Sequence, residues 1–581
     1  MTRYGSDLIV DLLNRYDIPF AALNPGASFR GLHDSIVNYG GNRPRIIECP
    51  HEEIAVGIAH GYAKATGRPM AAILHNVVGL LHGAMAIYYA YIDRAPMLLL
   101  GASGPMAVGH RRPRLDWEHT AVVQGNAVRD YVKWDDQPFD AAGVAHSFAR
   151  GYRIACTEPR GPVYLCYDVD FQEDELKADV PLPDPARGGQ HTRLAIEEGA
   201  LQQTVGHLLA ARNPVIIADD TGRHPATVGT LVELAEFLSA RVVDLNGRFN
   251  FPNTHPLHTL DRKGTLKEAD LVLALDVRDL YGSLAKVDAD DRPTSGTLTP
   301  DGCRVISLGL DELEASSWAQ HFGRFQEVDL SILADTGTAL SQILDGCRSR
   351  ADQASPDSAA AHRATRMAAF KEAHEAQRAR WREEARVNWD ASPMTTARMV
   401  SEVWEAIRGE DWVLTANTVK DWARKLWDFD LPYRHPGRSL GTATQIAISL
   451  GVALAYKGTG KLVVDLQPDG DLMYDPGALW VASHHQIPLL VVMYNNRAYY
   501  NSWSHQARTA RARGRSLDQV PLGVEIDHPA PDYAALARSV GWHAEGPVTT
   551  GEELQAALRR AVRVVQSERR PALVDAVTQP R

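Results

Sequence analysis

Residues 461–471, KLVVDLQPDGD, and residues 487–496, IPLLVVMYNN, decide the fold. Each reads as a buried strand, an apolar run that stops at oxygen-bearing side chains. The first ends at Pro468-Asp469-Gly470-Asp471 and the second at Asn495-Asn496. Between them DPGALWVASHHQ reads as a helix, so the segment is one β–α–β crossover. Such a crossover sets the two strand ends close together. Asp469 and Asn496 are 27 positions apart. Magnesium takes hard oxygen ligands in a near-octahedral shell and commonly bridges a carboxylate to phosphates. Asp469, the Asn496 amide and a backbone carbonyl can supply half of that shell, and a diphosphate and water the rest. Gly470 lets the backbone come close, and the N-terminus of the following helix offers free N–H groups to the diphosphate.

The same grammar recurs upstream. RIIECP, MAAILH, PMLLLGAS and GPVYLCYD read as parallel strands within residues 1–175, and PVIIADD, ARVVDLN, DLVLALD and CRVISLG within residues 191–347. DWVLTAN and PALVDAVT join the two opening strands within residues 391–581. A stretch rich in Pro, Gly and charge (175–190) and a charged, Ala-rich helical segment (348–390) separate these regions. The expected class is α/β, with three open parallel-sheet domains whose ligands sit at the carboxyl ends of strands.

Composition fits an ordinary globular chain. Of 581 residues, 45% are hydrophobic and 23% charged, and 72 acidic side chains against 61 basic ones give a net charge of −11. That balance argues against general nucleic-acid binding. Five widely spaced cysteines without a C-x-x-C pair read as free thiols in a reducing cytoplasm, and the N-terminus reads as a helix rather than a signal peptide. Residues 70–92 carry no formal charge, but His75, Asn76, Gly79, His82 and Gly83 interrupt them, so a strand, a turn and a helix are expected there instead of a membrane span.

The Asp-Gly-Asp turn followed by a paired Asn resembles the cofactor motif of the thiamine diphosphate-dependent enzymes, and the resemblance extends over nearly the whole chain. It is closest in kind to the acetolactate synthase, benzoylformate decarboxylase and oxalyl-CoA decarboxylase group. The resemblance implies thiamine diphosphate and Mg2+ as cofactors. It assigns Asp469, the Asn496 side chain and the Ala498 carbonyl as metal ligands, with Gly470 and Asp471 beside the cofactor. One residue departs from the pattern: Pro468 stands where the family has Gly, and it lacks an N–H. A second motif agrees. CPHEEIA (residues 49–55), followed by GIAHGYAKATG, resembles the family segment that carries the glutamate facing the cofactor's pyrimidine, and the matching residue is Glu52. A carboxyl group in an apolar cleft can share a proton with the pyrimidine nitrogen. The resemblance further implies a homodimer, or a homotetramer, with the site shared between subunits.

Other segments resemble the surroundings of the family's reacting carbon. Asn24-Pro25-Gly26-Ala27-Ser28 is similar to a turn in which a serine follows the glycine; Ala27 occupies that place, leaving Ser28 to supply a hydroxyl. His75 matches an active-site histidine, able to move protons near neutral pH. His119 and Thr120 fall where acetolactate synthases place a Phe-Gln pair. Thr442 stands where a large apolar residue props the cofactor, and Asn417 and Thr418 are expected near the diphosphate. Tyr499, Tyr500 and Trp503 are candidates for the substrate pocket, while the His484-His485 pair on the crossover helix reads as structural. The chemistry fits a 2-oxo acid decarboxylase or carboligase acting on a small-molecule substrate. The alternatives are a 2-hydroxyacyl-CoA lyase, for which Arg508, Arg511, Arg513 and Arg515 offer a basic mouth, and a non-catalytic binding or regulatory subunit of the same fold. No dinucleotide fingerprint marks residues 191–347, so FAD or ADP there is left open.

Overall fold

The computed structural model describes residues 2–187, 191–288, 292–314, 324–352, 357–415, 422–437 and 441–580. Three parallel sheets carry the fold. The first contains β1 (Phe20–Leu23), β2 (Arg45–Glu48), β3 (Met70–Leu74), β4 (Met97–Ser103), β5 (Trp134–Asp136) and β6 (Pro162–Asp168) in the order β2-β1-β3-β4-β6-β5. The second contains β7 (Pro214–Ala218), β8 (Arg241–Asp244), β9 (His258–Thr259), β10 (Leu271–Leu275), β13 (Arg304–Gly309) and β14 (Leu330–Leu333), ordered β14-β13-β10-β7-β8-β9. A small antiparallel pair, β11 (Ala285–Val287) and β12 (Pro293–Thr297), is inserted after β10. The third sheet is β15 (Trp412–Leu414), β16 (Leu462–Pro468), β17 (Leu490–Asn495), β18 (His543–Val548) and β19 (Ala572–Val577), ordered β15-β16-β17-β19-β18.

The long apolar runs become the central strands because helices cover both faces of each sheet, so every position must be apolar. In β7, Ile216 and Ala218 enter one core and Val215 and Ile217 another. The uncharged stretch 70–92 forms β3 and the helices Asn76–His82 and Ala84–Ile92. Among the described residues no helix is long and apolar enough to cross a membrane. All five cysteines are free.

The chain forms two compact units. One comprises Met1–Gln190, Ala385–Ala423 and Ser439–Arg581, so the first and third sheets belong together; the other comprises His191–Glu384 and Arg424–Arg438. Inside the first unit the helix Glu52–Thr66 lies directly on the helix Thr444–Tyr456. Small residues permit this. A Cβ at Gly57 would lie 2.5 Å from Ala447 Cβ, one at Gly61 would lie 2.0 Å from the Ile448 carbonyl oxygen, and one at Gly451 would lie 2.1 Å from the Ile58 carbonyl oxygen. Because Gly57 faces Ala447 while Gly61 faces Ile448 and Gly451, the two helices run in the same sense. Their N-termini, and hence Glu52 and the loop before Thr444, lie at the same end.

This packing is testable by a single methyl group. Gly61→Ala places a Cβ against backbone that has no side chain to move aside, and should lower unfolding free energy by about 1–3 kcal/mol. At Gly229, inside the helix Pro225–Leu238, a Cβ would meet open space, with nothing within 4 Å. Gly229→Ala should therefore be stabilising by roughly 0.5–1 kcal/mol through helix propensity alone. Urea unfolding of both variants checks the contrast, and equal effects would refute the interlock.

Candidate functional site

The strands β16 and β17 pair in parallel up to Pro468 and Tyr494, which brings Asp469 beside the turn at 496–498. Asp469 opens the short helix Asp469–Leu472 and is 2% exposed. Its Oδ1 accepts the Gly470 N–H at 2.8 Å, while Oδ2 has no hydrogen-bond partner among the described residues. Burial pushes this carboxyl up to about 6, and the N–H groups of Gly470, Arg497 and Ala498 offset that only in part. The Asn496 Oδ1 accepts the Ala498 N–H at 3.0 Å. The turn is held by two backbone bonds, Tyr499 N–H to the Val524 carbonyl at 2.8 Å and Ile526 N–H to the Arg497 carbonyl at 2.7 Å. Tyr533 donates to the Asp469 carbonyl at 3.1 Å, and Asn495 donates to Asp575 at 2.9 Å. A buried carboxylate with one unsatisfied oxygen, beside an amide oxygen, is the donor set a hard divalent cation requires, so Asp469 and Asn496 fit magnesium.

Asp471 faces the other way. Its Oδ1 accepts the Ala443 N–H at 2.9 Å and its Oδ2 accepts from Gln467 at 3.2 Å. It thereby fixes the loop Gly441-Thr442-Ala443, whose φ angles of 80°, 47° and 75° are all left-handed. For a β-branched residue such as Thr442 that conformation is strained. A hydroxyl contact between Thr442 and Tyr89 at 2.5 Å holds it from the second side. Asn417 and Thr418 lie outside the described residues.

Glu52 opens the helix Glu52–Thr66 and is 4% exposed. Its Oε2 meets His82 Nδ1 at 3.2 Å, and a Cβ at Gly79 would lie 2.7 Å from its Oε1, so glycine makes the room the carboxylate occupies. Sequence reasoning does not single out His82. A signal is nevertheless present: His75, Gly79 and His82 follow a four-and-three spacing that puts them on one helical face.

Ser28, His75 and His119 lie close to one another. Ser28 Oγ pairs with His75 Nδ1 at 2.9 Å and accepts the Asn76 N–H at 3.1 Å. The His75 and His119 rings meet edge to face at 6.1 Å. Gly26 permits the approach, since a Cβ there would lie 2.6 Å from His75 Cβ. Burial lowers the His75 pKa below its ordinary value, with Glu52 opposing and His119 and Arg112 reinforcing the shift, so the ring is neutral at pH 7. Thr120 accepts from Asn76 at 3.4 Å and from the Gly104 N–H at 3.2 Å. Ala27 supplies no polar group and lines an adjoining cavity of about 540 Å³ with Pro25, Gly26, Arg30 and His33. Tyr499 lies over Gly470, where a Cβ would be 2.6 Å from its ring. Tyr500 and Trp503 stack on each other at 5.5 Å. His485 binds the Glu48 N–H at 2.8 Å, the structural role expected for it.

Comparison with known proteins identifies relatives of the chain. The family model described as "Thiamine pyrophosphate enzyme, N-terminal TPP binding domain" matches residues 3–120, and the corresponding C-terminal TPP binding domain matches residues 418–576. Benzoylformate decarboxylase of Pseudomonas aeruginosa is 24% identical over 98% of this chain and 98% of its own. The acetolactate synthase large subunit of Haemophilus influenzae is 22% identical over 96% of this chain and 92% of its own. The crystal structure of benzoylformate decarboxylase from Polynucleobacter necessarius shares the fold, with a TM-score of 0.75 at 18% identity over 100% of this chain and 99% of that one.

The buried Asp469 carboxyl yields a pH-dependent stability. Its folded pKa, about 6, lies above the ordinary carboxylate value, so the folded chain holds this proton more tightly than the unfolded chain. The stability it contributes is full below the unfolded value and is lost as pH rises through about 6. In metal-free protein Asp469→Asn should therefore be more stable than the parent at pH 8 by about 1–3 kcal/mol, with little difference at pH 4. Denaturant titrations at the two pH values measure this, and a pH-independent difference would overturn the assignment.

Proposed function

The chain belongs to the thiamine pyrophosphate enzyme family, and from that premise we propose that it is a magnesium-dependent 2-oxo acid decarboxylase or carboligase. The observation that carries the substrate reading is the Ser28–His75 pair with His119 beside it, in the same compact unit as the Asp469 cluster. Bound thiamine diphosphate supplies the electron sink for cleaving or forming a bond next to a carbonyl. Asp469, Asn496 and the Ala498 carbonyl would hold the Mg2+, and Gly470, Asp471 and Thr442 would shape the cofactor's seat. Glu52 would face the cofactor's pyrimidine nitrogen and hold or move a proton at its carboxylate, whose Oε2 His82 orients. A neutral His75, its Nδ1 engaged by Ser28, keeps Nε2 for giving or taking a proton at the substrate. His119 lies against its ring. Tyr499, over Gly470, borders the entrance, with Tyr500 and Trp503 further along the same segment.

The relatives that match along almost the whole chain include a benzoylformate decarboxylase and an acetolactate synthase, which supports a 2-oxo acid over a CoA ester. A homodimer is part of the proposal. Several large apolar residues between positions 81 and 123 are exposed, among them Leu81, Met85, Val108, Trp117 and Val122, which supports a covered face here.

A panel of pyruvate, benzoylformate, oxalyl-CoA and 2-hydroxyacyl-CoA esters, with Mg2+ and thiamine diphosphate, tests the reading. CO2 release from a 2-oxo acid is expected, and cleavage of CoA esters alone would overturn it. Glu52→Gln should lower kcat by at least about 100-fold, the scale of a lost proton-transfer group, while calorimetry shows cofactor binding retained. His75→Ala should reduce turnover comparably. Full activity of Glu52→Gln would remove Glu52 from the chemistry.

A further inference from the structure

We propose that His51, Glu53 and Asp475 form a binding site for a zinc-class divalent cation, separate from the magnesium site at Asp469. One ligand atom from each of the three residues lies within 4.8 Å of the others. His51 Nδ1 and Asp475 Oδ1 are 3.8 Å apart. Bonds of about 2.1 Å to nitrogen and oxygen would bring tetrahedral ligands to about 3.4 Å of one another, so small side-chain rotations close the site.

The strongest sign of a missing partner is Asp475. It is 7% exposed, and its Oδ2 accepts no hydrogen bond among the described residues. Two carboxylates here face one imidazole. Burial and the charges of Asp475 and Asp471 raise the Glu53 pKa to about 7, which reflects negative charge the protein does not neutralise by itself. A divalent cation would neutralise it. His51 provides the nitrogen. Its Nδ1 accepts a weak bond from the Glu53 N–H at 3.3 Å and is therefore unprotonated; an ion would take that lone pair in exchange for the weak bond, and the side chain is 37% exposed, so an ion can enter. One imidazole and two carboxylates suit zinc, with water as the fourth ligand, whereas magnesium is served by oxygen alone.

The scaffold around the cluster is tight. Pro50 packs on Gly477 so closely that a Cβ there would lie 2.8 Å from Pro50 Cγ. An ion would therefore cross-link the start of the helix Glu52–Thr66 to the loop that follows Leu472. His51 also stacks on His82 at 5.0 Å and an interplanar angle of 25°, and His82 meets Glu52. The ion would thus lie one stacked ring pair away from the Glu52 carboxylate.

Cobalt is the probe, since tetrahedral Co2+ absorbs in the visible where Mg2+ does not. Tag-free, metal-free full-length protein is titrated with Co2+ under saturating Mg2+ and without thiamine diphosphate, so the outcome does not depend on the cofactor reading. One tightly bound Co2+ per chain is expected, with tetrahedral visible bands that Zn2+ abolishes. Asp475→Asn and, independently, Glu53→Gln should each weaken binding at least about 10-fold, the scale of losing one ligand contact. Asp469→Asn should leave it unchanged. Absence of saturable Co2+ binding would overturn the proposal. So would binding that Asp469→Asn removes, or binding that neither Asp475→Asn nor Glu53→Gln weakens.

Discussion

Backbone-to-backbone contact between the helices Glu52–Thr66 and Thr444–Tyr456 is the constraint on which the rest of the first unit depends. Gly57 and Gly61 on one helix and Ala447 and Gly451 on the other leave no room for larger side chains. The helices cannot rotate without collision, so the direction in which Glu52 points follows from glycines several residues away. From Thr444 the connection continues through Ala443, whose N–H binds Asp471, and Asp471 lies two residues past Asp469. Glu52 and Asp469 are thus related through one helix pair and one hydrogen-bonded loop, although more than four hundred residues separate them in sequence.

The same unit buries carboxylates within and just beyond the strands of its third sheet. Asp469 and Asp575 are pushed up to about 6 by burial, and Asp465, held by Gln445 at 2.7 Å, to about 7. An apoprotein is destabilised by such groups once they ionise, because each has lost its hydration without gaining a full counter-charge. A cation that binds only the folded chain reverses that cost. A cation bound at Asp469, whose Oδ2 has no hydrogen-bond partner among the described residues, would therefore stabilise the folded unit.

Much of this is legible in the sequence where burial imposes a pattern. Most central strands read correctly because both faces must be apolar, although the four-residue β1, central in the first sheet, is not among those named from the sequence. β5, β14 and β18 do not stand out, because they lie at sheet edges, where one side meets solvent and polar residues or Gly546-Pro547 are tolerated. At the site, Asp469 with Asn496, Glu52 and His75 stand out by their position at strand ends or helix starts, whereas His119, the last residue of the helix Leu115–His119, is reached only through the family resemblance. His82 and Asp475 do not stand out. Each becomes meaningful only through a partner, Glu52 or His51, and for Asp475 that partner lies in another stretch of the chain, a relation that no spacing within one segment encodes.

The two departures from the family pattern have different physical weight. Pro468 has φ −66° and ψ 142°, the geometry proline prefers, and it is the last residue of β16, pairing with Tyr494 on one side while β15 reaches only to Val464 on the other. Its missing N–H therefore costs the sheet little, and its fixed φ orients the entry into Asp469–Leu472 in advance. Thr442 is the more consequential. A threonine with positive φ is retained only where surrounding contacts over-determine it, and here Tyr89 and Asp471 do so from opposite sides. Tyr89 belongs to the helix Ala84–Ile92 of the first sheet's region, so the loop is shaped by the same unit that carries Glu52. The Thr442 loop is thus a strained backbone tied down by two hydrogen bonds.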